Sequence, residues 1–151
     1  YTMAVLAGQA TGNLLFGFLA DRFGHMRNLV FGGIAGVLSY ILAWLAPSPG
    51  WSFVVFVLNG IGASALFVSG IMVVMEFSSA GRRPTYLGLS NTGTGIAGLI
   101  APLFGGFLAR SSYGLVFIIS AVIGVLACIL MAWWVRDPRW LNESTPSSQP
   151  T

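Results

Sequence analysis

Polar positions are sparse along this chain and fall in clusters, separated by apolar runs about as long as a bilayer is thick. The runs cover residues 1–20, 29–46, 51–75, 86–109 and 113–135. Unpaired backbone polar groups are too costly in hydrocarbon for open strands or irregular chain, so each run predicts a transmembrane helix. The charged residues collect between them. Asp21, Arg22 and Arg27 follow the first run, Glu76, Arg82 and Arg83 the third, and Arg136, Asp137 and Arg139 the fifth. The expected fold is an all-α integral membrane protein with five helices in one domain, residues 1–139. A polar tail rich in Pro and Ser, residues 140–151, reads as disordered.

Composition strengthens this reading. Hydrophobic residues make up 56% of the chain, charged residues 7%, and the mean hydropathy is +0.83. A soluble domain would carry roughly a quarter charged residues. The net charge of +3 would suit a nucleic-acid partner in another setting. Here the cations are all Arg and lie between membrane spans, so the lipid bilayer is the expected partner and nucleic acid is not. Six of the seven Arg fall on one side of the spans, and only Arg110 on the other. The positive-inside rule then makes the first and third connections and the tail cytoplasmic, with Tyr1 on the outer side. An odd number of spans starting outside, with no initiator Met, leads to the expectation that the chain is part of a longer polypeptide.

Chemistry of the catalytic kind is not expected. With one Cys (Cys128) and one His (His25) there is no disulfide framework and no metal-ligand spacing. Ser, His and acidic residues never fall in one layer, so no enzyme and no cofactor is expected. Gly93–Gly98 matches a dinucleotide-binding spacing, but inside an apolar helix with no preceding strand the match carries no weight.

Amides and hydroxyls rank the spans. Gln9 and Asn13 lie on one face of the first, Asn59 in the third, and Asn91, Thr92 and Thr94 in the fourth. An amide in hydrocarbon costs several kcal/mol unless paired or wet. The first, third and fourth spans are therefore expected to face a cavity or one another, and the second and fifth to face lipid. Gln9, Asn13, Asn59 and Asn91 become candidate lining of a solute pathway, with interhelical hydrogen bonding as the equal alternative. Gly8-x3-Gly12 and Gly32-x3-Gly36 read as close-packing faces.

The stretch Gly17-Phe-Leu-Ala-Asp21-Arg22-Phe-Gly24, with Arg27 following, resembles the signature of the major facilitator superfamily between the second and third helices of a six-helix half. It departs from that signature at His25-Met26, where the family has consecutive basic residues. Gly81–Asn91, Ala101-Pro102-Leu-Phe-Gly105-Gly106 and Val135–Arg139 resemble the entry and exit of a half's fifth helix and the close of its sixth. The resemblance implies five helices of a six-helix half, helices eight to twelve, in the cell membrane. It implies a secondary transporter of a small solute by alternating access, missing the remainder of its own chain. Gly88-x8-Ala97-x3-Ala101-Pro102 also resembles an antiporter signature, which keeps the N-terminal half of an exporter as an alternative. A small accessory membrane protein is the other alternative. No Asp, Glu, Lys, Arg or His lies mid-span, so the charge for any proton or ion coupling is expected outside this half.

From these positions an inner gate is expected. Asp21 would dock on the start of the fourth helix, with Arg22, Arg27 and Glu76 completing an ion-pair network around the glycines Gly17 and Gly24. Gly98, Pro102, Gly105 and Gly106 are expected to supply bending or close packing in the fourth helix.

Overall fold

The computed structural model describes residues 1–46, 48–78 and 80–134. Among them are five long helices and no strand: α1 (Thr2–Phe23), α2 (His25–Leu45), α3 (Trp51–Glu76), α4 (Arg83–Ala109) and α5 (Tyr113–Trp134), with a 3-10 turn at Ala80–Arg82 before α4. Each is long and apolar enough to cross a membrane. The expected tail and the Val135–Arg139 close lie outside the described residues.

α3 is the centre of the assembly, and α1 and α2 both pack along it. α1 and α3 run parallel. Gly8-x3-Gly12 on α1 faces Gly60-x3-Ser64 on α3 so closely that a Cβ on Gly8 would strike the Val57 carbonyl, and one on Gly60 the Val5 carbonyl. The buried stripe Ala4, Gly8, Gly12, Phe16 and Ala20 repeats every four residues, as one face of a helix must. α2 runs antiparallel to α3, with Gly32 against Ala65 and Gly62 against Gly36. The glycine pairs thus act as the sequence suggests. With no hydrophobic drive between helices in lipid, such backbone approach supplies the dispersion contact that holds them.

One expectation changes. The second span is not peripheral among the described residues: α2 touches α1, α3 and α5 and buries Met26, Asn28, Leu29, Gly32, Val37 and Ser39. Ranking spans by their amides overlooked small residues, which permit burial without adding polarity. The fourth span meets α3, one of the spans it was expected to face, and otherwise α5 and the turn before it, with no buried residue among those described. Its Thr92 and Thr94 hydroxyls donate to the carbonyls of Gly88 and Ser90 one turn back, so they need no cavity. α5 packs on α2 through Gly33–Cys128 and Val37–Gly124 and has no contact with α3.

Overpacking the α1–α3 seam should be costly. Gly8→Val or Gly60→Val is expected to lose about 1–3 kcal/mol, seen as a lower melting temperature of the detergent-solubilised full-length protein. Gly95→Ala, whose Cβ meets open space, is expected to be neutral or slightly stabilising.

Candidate functional site

The charged island after the first span is not a loop. α1 continues to Phe23 and α2 begins at His25, joined by Gly24 alone. Gly24 sits at φ 90°, ψ 155°, a conformation open to glycine and strained for other residues. Its N–H donates to the Ala20 carbonyl at 2.9 Å, and its carbonyl accepts from the Asn28 N–H at 3.2 Å. One residue therefore closes α1 and opens α2.

This joint places Asp21 and Arg22 in the last turn of α1 and Arg27 in the first turn of α2, all exposed. Arg22 sits favourably at a helix C-terminus and lies over the Phe23 ring, 5.7 Å from its centroid. Asp21 sits against the helix dipole, at a cost of about 0.3–1 kcal/mol. Among the described residues Asp21, Arg22 and Arg27 form no ion pair with one another. Glu76 ends α3 and is exposed. α1 and α4 are not in contact, so the structure does not bring Asp21 to the start of α4 as expected from the sequence. A helix dipole near residue 85 suits a carboxylate, but α3 and α2 hold the end of α1 away from it.

What the structure does assemble beside the joint is a hydrogen-bonded cluster. Asn28, in the first turn of α2, is fully buried, as is Ser69 of α3. The Asn28 amide donates both its hydrogens, to the Phe16 carbonyl of α1 at 3.1 Å and to Ser69 Oγ at 2.7 Å. The Phe16 contact fixes the amide orientation, because a flipped amide would set oxygen against oxygen. Ser69 Oγ also lies 3.2 Å from Nδ1 of the half-buried His25. Asn28 thus ties three helices at the joint. Its Oδ1 is buried without a partner among the described residues, a cost of about 1–3 kcal/mol.

Asn28 lies one residue before the second apolar run, which begins at residue 29, and so outside the spans whose amides rank them. An amide three residues past a glycine joint, facing a serine-bearing helix, was the available signal.

The candidate pathway amides do not converge. Gln9 is half-buried and Asn13 exposed on α1, Asn91 is exposed on α4, and Asn59 of α3 donates to Ser39 Oγ of α2 at 3.4 Å. Asn59 and Tyr40 line two apolar cavities of about 370 Å³ each along α2. A further cavity of about 460 Å³ between α3 and α4 is lined by Val73, Phe77, Tyr86, Ser90 and Thr94, and does not include Asn91. Pro102 lies within an unbroken α4, where its ring removes the N–H that the Gly98 carbonyl would accept. Gly98, Gly105 and Gly106 have open space around them. Among the described residues no group of His, Cys, Asp or Glu could hold a metal.

The sequence profile of the Major Facilitator Superfamily matches residues 1–150. The chain belongs to the major facilitator superfamily. Its relatives include the "Na(+), Li(+), K(+)/H(+) antiporter" of Planococcus maritimus, 31% identical over 83% of this chain and 31% of the relative. The multidrug resistance protein MdtL of Vibrio parahaemolyticus is 30% identical over 95% of this chain and 35% of the relative. The cis,cis-muconate transport protein of Acinetobacter baylyi is 29% identical, again over 95% of this chain and 35% of the relative. The chain therefore spans about a third of the length of the relatives it matches.

Within this major facilitator chain, Asn28 is expected to outweigh its neighbours in stability. Asn28→Asp should be worse than Asn28→Ala, because a carboxylate would face the Phe16 carbonyl. Losses of about 1–3 kcal/mol for the alanine and more for the aspartate are expected, read as melting temperatures in detergent.

Proposed function

We propose that this chain is part of a secondary transporter that moves a small solute by alternating access, and that the Gly24 joint belongs to its inner gate. The observation that carries this reading is the family match along 150 residues, with relatives named for antiport, efflux and uptake. Five bilayer-length helices and a signature at a helix joint support it. The relatives' names do not favour an accessory role.

In this reading the chain lies in the cell membrane with Tyr1 outside. Arg22, Arg27, Arg82 and Arg83 mark the cytoplasmic end, and Ser111 and Ser112 the outer connection. Asp21 is the gate's switching carboxylate. Its placement against the dipole of its own helix is unfavourable unless another partner compensates. Because α4 of the chain is out of reach, that partner is assigned to residues beyond those described. The contact forms in one access state and breaks in the other, which is how a charge pair biases a two-state equilibrium. Gln9 and Asn13, on α1 beside the seam with α3, remain the pathway candidates. Asn59 is assigned instead to packing against α2.

Two measurements test this on the full-length protein. Asp21→Asn in proteoliposomes is expected to change the ratio of inward- to outward-open states, and with it solute flux, by about 5-fold or more. Unchanged flux and unchanged accessibility would remove Asp21 from the gate. For orientation, a single cysteine at Arg82 should react with an impermeant maleimide only after the cytoplasmic face is opened. One at Ser112 should react in intact cells, and the opposite pattern would invert the assignment.

A further inference from the structure

We infer that His25, Ser69 and Asn28 form a proton-responsive clamp that couples the ionisation of His25 to the packing of α2 on α3 at the signature joint. The inference concerns regulation of the proposed gate and rests on that reading for its physiological meaning, though not for its geometry.

The donor order in the cluster is read outward from Asn28. Phe16 O holds the Asn28 amide so that Nδ2 donates to Ser69 Oγ. Ser69 then has one hydroxyl hydrogen left to give. Unlike Ser39 and Ser64, which donate to carbonyls of their own helices, Ser69 has no backbone acceptor among the described residues, so we assign its hydrogen to His25 Nδ1, 3.2 Å away. The arrangement therefore reads Asn28 N–H to Ser69 O, and Ser69 O–H to His25 Nδ1. In this assignment Nδ1 carries no hydrogen, and the imidazole's hydrogen is on Nε2.

Adding a proton to His25 turns Nδ1 into a donor. Ser69 Oγ then receives hydrogens from both sides, and its own hydrogen loses its acceptor. The unfilled acceptor of the cluster is Asn28 Oδ1. Reaching it requires rotation of the amide away from Phe16 O, so protonation trades the link between α1 and α2 for a new one within α2 and α3. Imidazole is the side chain that gains a proton in the physiological range.

The surrounding charges make the same event an electrostatic one. The charged groups at this end of the three helices are Asp21 and Arg22 of α1, Arg27 of α2 itself and Glu76 at the end of α3. α5, the remaining helix packed on α2, brings only Tyr113 and Cys128 as titratable groups. A protonated His25 adds a third cation to a joint that already carries two. His25 is thus a switchable charge at the position where the resembling signature has a fixed one.

The test uses paired spin labels at Phe31 of α2 and Phe67 of α3, both exposed, in the full-length protein with Cys128→Ser and other cysteines removed. The interlabel distance is compared between about pH 8 and about pH 5. A shift or broadening of about 1–2 Å at the lower pH is expected with His25 present. His25→Asn keeps an acceptor for Ser69 but does not titrate, and should hold the high-pH distance throughout. Ser69→Ala keeps the imidazole but cuts the link, and should also abolish the shift. A pH-dependent shift that survives in both variants, or no shift with His25 in place, overturns the clamp. Solute flux measured on the same samples separates the two readings. A label shift without flux at any pH would count against the transporter and leave the clamp standing.

Discussion

The constraint on which the rest depends is the backbone approach of α1 and α2 to α3. In lipid the tails are as apolar as the side chains, so helices gain little by hiding hydrophobic surface from one another. They gain by bringing many atoms to contact distance, and here glycines permit it. Gly8 and Gly12 meet Gly60 and Ser64 on one side of α3, while Gly32 and Gly36 meet Ala65 and Gly62 on the other. α1 and α2, both docked on this one helix, are joined by Gly24 alone.

That junction gives the signature its physical character. Asp21, Arg22 and Arg27 are not carried on a flexible loop; they stand on two helix ends whose spacing is set by packing tens of ångströms of helix. A carboxylate on such a platform cannot wander toward a convenient cation. The buried Asn28 amide completes the platform by joining the Phe16 carbonyl to Ser69 across three helices. It does so at the expense of one unsatisfied oxygen, a local frustration beside a joint that is assigned to movement.

Much of this was legible in the chain. The five apolar runs gave the helices to within a few residues, and the Gly-x3-Gly spacings marked two of the contact faces. The candidate pathway read less well. Gln9, Asn13, Asn59 and Asn91 look alike in sequence, yet Asn59 turns toward Ser39 of α2, and Asn91 sits on a helix that touches neither α1 nor α2. An amide's presence in a span follows from the sequence, but its direction follows from which neighbour the helix chooses. The expected contact of Asp21 with the start of α4 failed for the same reason: the favourable dipole was real, but proximity was not.

Sequence by itself determined that the chain crosses a membrane, how many times, and where its cations gather, since those features depend only on local hydropathy, length and charge. The one-residue joint at Gly24 came only with the packed helices, because α1 and α2 each extend beyond their apolar runs until glycine alone separates them. Tertiary structure decided that α2 is central and α4 marginal, and that Asn28 instead of the mid-span amides is the buried polar hub. It also decided that the lone histidine bonds to a serine forty-four positions away. Those outcomes depend on small residues whose effect is the room they leave, and that room takes shape only when two helices meet.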